Sequence, residues 1–405
     1  MANSLLTISM ITREAVRLWK NSNAFLKNID TQYDDQYAKT GAKIGSALRI
    51  RLPNDFVVRT GAAASVQDTA EPSTTMTLAT QKGVDISYSS AERALSLDDY
   101  SKRILAPMIN NLAGAVALDV MGGVEGGISN YVAAIDGSSN IIAPTVTTFL
   151  NAGAILDQMS CPRGNRKIIL DPVTQAKTVS ALSGLFNPTG TISKQFNSGE
   201  MGSALGFDWL MDPVIIKHTT ANYSGTKTVN GAGQTGLTIT VNAVTGGFAA
   251  GDIITFAGVN SVNRITKQDN GSLAQFVVTA TMASGGTSVS IYPAIVPPSG
   301  GNPVQYQTVT ASPANSATIT VVSKAAEVYR KNFAFAPEAV TMATADLDIP
   351  KGVHEASRVQ LDGISMRSVS AYNIGTDQFI TRLDILYGYK WVRPEWAVVI
   401  ADSIT

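Results

Sequence analysis

Apolar residues recur at Ile8, Ile11, Ala15 and Leu18 while Arg13, Arg17 and Lys20 fall on other faces, so the chain opens with the period of a short amphipathic helix. A lone helix of that length is marginal in water and should dock on something. From Asn28 to Thr40 the chain turns polar, and Ser46-Ala-Leu-Arg-Ile-Arg-Leu then alternates as a strand that Pro53 ends. Val57-Val-Arg begins a second extended run, the small-residue stretch Thr60–Pro72 follows, and alternation resumes from Met76 to Tyr88. The pattern predicts a long two-stranded hairpin over Ser46–Ser90 with a soft tip. Such a hairpin has no core of its own, and isolated hairpins are marginal at best, so this one is expected to lie on another subunit. The contact residues expected around its tip are Arg59, Thr60, Gly61, Val66, Asp68, Glu71 and Pro72.

Ser96 followed by Asp99 resembles a capping box, and Leu105, Ile109, Leu112, Val116, Val120 and Val124 then repeat at helical spacing. This predicts the longest helix of the chain over Ser96–Val124. Pro107 lies inside the pattern, where it removes a backbone donor and crowds the preceding turn, so a kink is expected near Arg103. A second helix, with Phe149, Ala152, Leu156 and Met159 on one face, stops at Cys161-Pro162. Lys167-Ile-Ile-Leu reads as a short buried strand. Asp171-Pro172 reads as an N-cap with proline in the first turn of a helix running toward Leu185.

Near Thr219 the pattern changes. Up to about Ser323 the chain is dominated by Thr, Ser, Gly, Val and Ala, and short β-rich runs recur at Leu237–Val241, Asp252–Phe256, Gln275–Thr279, Ser288–Tyr292, Gln305–Val309 and Thr318–Val322. Asn230-Gly231, Asn270-Gly271, Gly285-Gly286 and Pro297-Pro298 punctuate them. Six short strands at this spacing describe a small β-barrel or sandwich. It reads as an insertion, because a mixed pattern resumes at Arg330-Lys-Asn-Phe-Ala-Phe and ends in the strands Ser365–Ser370 and Phe379–Tyr387.

Composition narrows the function. Charged residues make up 15% of the chain, against about 25% for an average soluble protein, and Lys+Arg and Asp+Glu stand at 31 each. Balanced charge excludes a binder that owes its affinity to phosphate neutralisation. A surface short of charge suggests that copies or partners cover much of it. The single Cys161 excludes a disulfide framework and points to a reducing compartment, and two histidines leave few proton shuttles or zinc ligands. The first residues do not resemble a secretion signal, and no run approaches the roughly 18 apolar residues of a membrane span.

No phosphate-cradling glycine pattern and no Gly-x-Ser-x-Gly elbow occurs. His218, near Asp212, and His354, beside Glu355, read as ordinary loop or edge histidines without a nucleophile at usable spacing. Asp98-Asp99 suits a helix start, Cys161 a helix end, and Arg163-Gly-Asn-Arg-Lys a basic turn with no interleaved aromatics for stacking. No catalytic, cofactor or metal site is expected.

One combination is more specific. Gly206-Phe207-Asp208 with Pro213 downstream, Gly251–Val259 in the insert, Asn332-Phe-Ala-Phe-Ala and the closing Tyr387-Gly-Tyr-Lys-Trp-Val-Arg393-Pro394-Glu395 resemble the major coat proteins of tailed phages, the Caudoviricetes, and within them the group around the coat protein of short-tailed phage P22. The resemblance implies an α+β, HK97-like capsid fold: an N-terminal arm (1–45), an extended loop (46–90), a peripheral domain with its spine helix (91–145), an axial domain (146–218), an inserted β-barrel (219–325) and a return to both domains (326–405). It implies a non-enzymatic subunit that self-assembles as hexamers and pentamers into an icosahedral shell around double-stranded DNA, with no specific grip on that DNA and no membrane. A scaffolding protein, a portal protein and, optionally, a decoration protein are the partners it implies, with procapsids built in the host bacterial cytoplasm and the virion as destination. Where the relative carries a long charged loop that bridges capsomers, Asn230–Gly236 is short and uncharged. The competing expectation from the residues is a β-rich accessory or adhesion protein whose insert binds a ligand.

Overall fold

A computed structural model of the 405-residue chain describes residues 8–33, 47–89, 101–182 and 202–404, apart from 53, 60, 65, 68–71, 124–126, 299–303, 362 and 377. The chain divides into two compact units. One comprises Met1–Ile50, Ser73–Val120 and Val340–Val392, the other Arg51–Pro72, Met121–Ala339 and Arg393–Thr405.

The first unit is built on the strand Gln378–Trp391, whose apolar run allows pairing along both edges. One edge bonds Ile364–Asn373 and then Val340–Ala345, and the other bonds Thr80–Ser89. Glu355–Leu361 and, in parallel, Asp30–Tyr33 complete six strands. The N-terminal helix Ile8–Ser22 lies on Glu355–Leu361 and Ile364–Asn373. Its buried face is Ile11, Thr12, Ala15, Val16 and Trp19. That face is rotated from the expected one, leaving Ile8 and Leu18 half-buried, because the large Trp19 gains more from burial than Leu18 would.

The expected Ser46–Ser90 hairpin is corrected. Ala47–Arg51 pairs with Ser73–Thr77 alone, and Thr80–Ser89 leaves it for a ten-residue antiparallel ladder with Gln378–Tyr387. The base of the hairpin does have a core: Met76 and Leu78, with Leu48 and Ile50, pack on Ala343, Ala345, Leu347 and Leu386. Alternation continued through both segments, so the pattern could not show where one partner was exchanged for another.

Ser101–Leu105 winds as a π-helical turn and Ala106–Gly122 as an α-helix, the longest among the described residues. Pro107, the second residue of the α-segment, has no N–H to continue the preceding register, and the change of winding sits immediately before it. Ser96–Tyr100, with the expected cap and Asp98-Asp99, lies outside the described residues. Contrary to the sequence reading, the 21-residue helix Lys102–Gly122 is long and apolar enough to cross a membrane, yet half of its apolar window is buried inside the protein. Met108, Ile109, Leu112, Val116 and Val120 supply that core face, and the Val120 carbonyl accepts the Trp391 indole N–H at 3.1 Å.

The second unit holds an eight-stranded sheet in the order Ile141–Ile142, Tyr131–Ile135, Ala397–Ser403, Val328–Phe335, Lys167–Leu170, Phe207–Met211, Ser203–Ala204, with Lys217–Thr219 extending Val328–Phe335. The helix Val146–Gln158, opened by a Thr145–Thr148 capping box, presses Phe149, Ala152 and Leu156 onto Ile168, Phe207, Trp209 and Val398. Pro172–Leu182 starts as expected, with the Asp171 carboxylate accepting from Val173 N at 3.0 Å.

Residues between Thr219 and Val328 form a five-stranded sheet in the order Gly236–Thr240, Ser288–Ile295, Asp269–Val278, Ile253–Val262, Ile319–Val321. Its residues alternate inward onto one cluster that includes Val241, Phe248, Phe256, Phe276, Ile291 and Ile319. Lys227–Asn230 bonds both sheet edges: Val229 N donates to Ala317 O and Ile319 N to Lys227 O, while Asn230 N donates to Thr240 O and Asn242 N to Thr228 O. The expected strand Gln305–Val309 is instead a 3-10 turn, Val304–Tyr306, with a single bridge at Val309. There Gln305 and Gln307 are buried, Gln307 Nε2 donates to Val309 O, and the backbone N–H groups of Thr308 and Thr310 donate to Val296 O and Asn260 O.

Candidate functional site

Beyond the paired base, the loop Leu52–Pro72 is held by local bonds rather than by a ladder. Leu52 N donates to the carbonyl of half-buried Pro72 at 2.8 Å. Farther out the Gln67 amide clasps Val57, accepting from its N–H at 2.8 Å and donating to its carbonyl at 2.5 Å. At the tip exposed Arg59 donates to the carbonyl of Gly61, which has φ +97°. Thr60, Asp68 and Glu71 lie outside the described residues. The loop carries exposed apolar side chains: Phe56, just before the clasp, is 58% exposed, and Val58 and Val66, beyond it, 93% and 95%. Phe56 and Val58 were not among the expected contacts, although an apolar pair flanking a small-residue stretch is visible in the sequence.

The motif residues occupy two places in the second unit. Leu205 and Gly206 make a left-handed turn, Gly206 at φ +80°, where a side chain would be strained. That turn carries Phe207 into the core and Asp208 onto Lys167 at 2.6 Å. The Lys167 ammonium, with Ser203, holds the Asp208 carboxyl below its usual range. The Arg393 guanidinium stacks 4.1 Å from the Trp396 ring centroid, and buried Pro394 opens the 3-10 turn Pro394–Trp396. Glu395 on that turn pairs with Arg264 of the insert, and Arg264 also reaches Asp55 of the loop at 3.2 Å. Burial opposes the Arg264 charge, and the two carboxylates outweigh it, leaving the guanidinium more basic than usual.

Arg264 sits on a tight turn at the tip of the hairpin formed by Ile253–Val262 and Asp269–Val278. The Asn263 carboxamide accepts from Ile265 N and Thr266 N, and Asn263 N donates to Gln268 O at 2.8 Å. Neither Arg264 nor Asp55 was foreseen. The available signal was that Arg264 and Lys267 are two of only five charged residues between Thr219 and Ser323, with Lys227, Asp252 and Asp269.

His218, expected as an ordinary loop or edge residue, is 3% exposed and lies 2.9 Å from Asp252 of the insert. Asp252 also accepts from Ala249 N at 2.8 Å, and Lys331 Nζ donates to Gly251 O at 3.3 Å. This buried cluster joins the insert to the sheet that carries it. Cys161 is buried, and burial pushes its thiol up to about 11 despite nearby Arg166. Among the described residues no group of three or more His, Cys, Asp or Glu side chains is placed to hold a metal.

A family model described as P22 coat protein - gene protein 5 matches residues 31–400 of this chain. Among curated protein sequences none matches. Among solved structures the chain is similar to one from Mycobacterium phage Che8, at 10% identity over 91% of this chain and 88% of that chain, with a TM-score of 0.44. It is also similar to the capsid structure of the cyanophage P-SCSP1u, at 11% identity over 93% and 86% of the two chains, TM-score 0.42. Over 25% of this chain and 98% of that one it is similar to the CUS-3 coat protein I-domain, at 33% identity and a TM-score of 0.21.

Proposed function

From the premise that this chain belongs to the P22 coat protein family and is a structural major capsid protein, we propose that it closes its shell by laying the Leu52–Pro72 part of the expected loop on a neighbouring copy. The observation that carries this reading is the exposure of Phe56, Val58 and Val66 on a segment held by local hydrogen bonds and, at Asp55, by the ion pair with Arg264. Apolar area left in water is a standing cost that a neighbouring subunit removes at about 25 cal/mol per Å².

In the same reading the fold is HK97-like. The N-terminal arm, the Lys102–Gly122 spine and the six-stranded sheet supply the peripheral parts, the eight-stranded sheet supplies the axial domain, and Thr219–Ser323 is an inserted barrel closed through Lys227–Asn230. The shell is icosahedral, made of hexamers and pentamers around double-stranded DNA, and assembly passes through a procapsid with scaffolding and portal proteins in the host cytoplasm. Balanced charge fits a wall that encloses a polyanion without gripping it.

Deleting Gly61–Glu71 tests the loop. The purified variant should keep the native circular dichroism spectrum and a cooperative melt, yet give no closed shells by electron microscopy under conditions where the unaltered chain does. Normal shells from the deleted chain would overturn the reading.

A further inference from the structure

We propose that Arg264 of the insert is a positioning residue for the extended loop of its own chain, holding the loop's root at Asp55 against the Pro394–Trp396 turn through Glu395, so that the apolar tip is offered to a second copy in one orientation. This deepens the reading of the loop as the subunit contact and rests on it.

Three observations converge. The insert is nearly free of charge, yet two of its cations, Arg264 and Lys267, stand three residues apart on one hairpin tip. That tip is rigid before it meets the loop, since the Asn263 carboxamide accepts from two backbone N–H groups and the Asn263 backbone closes the turn on Gln268. Facing it are two carboxylates from separate stretches of chain, Asp55 and Glu395, which one guanidinium spans.

A planar fork with five fixed donors suits such a bridge, whereas an ammonium is a point charge on a flexible stem. Arg264, Asp55 and Glu395 are each about a quarter to a third exposed, so the tie is open to screening by salt. Asp55 is two residues from Val57, which the Gln67 amide binds to the returning limb, so fixing Asp55 fixes the clasp and the tip beyond it. Without the tie the loop would swing from its root, and a second copy would have to order it on contact.

Limited trypsin digestion of the unassembled subunit reads this directly, because Arg59 lies in the tip and Arg163, on a distant exposed turn, serves as internal reference. Arg264→Gln and Asp55→Asn should each raise cleavage after Arg59 by about tenfold relative to cleavage after Arg163, the double variant no more than either single one. Arg264→Lys should fall between, and about 1 M salt should raise cleavage in the unaltered chain. A melt for each variant separates loosening of the loop from global unfolding. Both singles should also assemble more slowly at equal subunit concentration. Unchanged cleavage after Arg59, additive effects, or faster cleavage with undiminished assembly would overturn the proposal. The digestion uses unassembled subunits, so its result is independent of whether the loop deletion abolishes shells.

Discussion

At the scale of single residues, Cys161 and Asp208 show how their surroundings hold an ionisable group. With its thiol at about 11, Cys161 would be thiolate in roughly one molecule per thousand at pH 8. A disulfide reagent should therefore modify the native subunit about a hundredfold more slowly than the urea-unfolded chain, which should titrate one thiol. Asp208 gives a prediction with a definite sign. Its carboxyl is depressed when folded, so its contribution is present above the unfolded value of about 3.9 and is lost as pH falls through the lower folded value. Asp208→Asn should therefore lower stability at pH 7 and flatten the loss of stability below pH ~4, as measured by urea unfolding across that range. That Gly206, Phe207 and Asp208 belong together was legible as a motif. The pairing of Asp208 with Lys167 was not, since the two meet only where Lys167–Leu170 and Phe207–Met211 run in parallel.

At the scale of elements, the closing motif shows how a sheet depends on one missing side chain. A Cβ on Gly388 would lie 2.3 Å from the Thr77 carbonyl oxygen, where the chain crosses from the loop's base to Thr80–Ser89. The nearest atoms are all backbone, of Thr77 and Leu78, so no flexible side chain can yield and Gly388→Ala should cost about 2–4 kcal/mol, seen as a lowered urea midpoint with an unchanged slope. Asn373→Ala at the far end of the same sheet should stay within about 1 kcal/mol. Helices were legible because burial of one face repeats with the helical period: Val146–Gln158 and Ala106–Gly122 lie within the stretches their apolar spacing marked, give or take the ends. Strands were legible as strands but not as pairs. The run from Met76 to Tyr88 reads as one strand, yet its two parts serve different sheets.

At the scale of the whole molecule, the insert should behave as a unit, with its own cluster of buried residues and its own ladder. Residues 219–323 expressed alone should melt cooperatively and give dispersed amide signals, and a disordered spectrum would count against an autonomous insert. The sequence by itself determined what local chemistry can encode. It marked the longer helices, many but not all of the strands, the change of composition at Thr219, the absence of a catalytic motif, and the short motifs that carry the resemblance to phage coat proteins. Tertiary structure alone decided which segments meet. His218 and Asp252 stand 34 positions apart and form a buried pair, while Arg264 joins Asp55 to Glu395 across 209 and 131 positions. The physical reason is range: periodicity records how a residue faces its near neighbours, whereas a charge finds its partner only when the backbone ladders have closed and carried distant segments together.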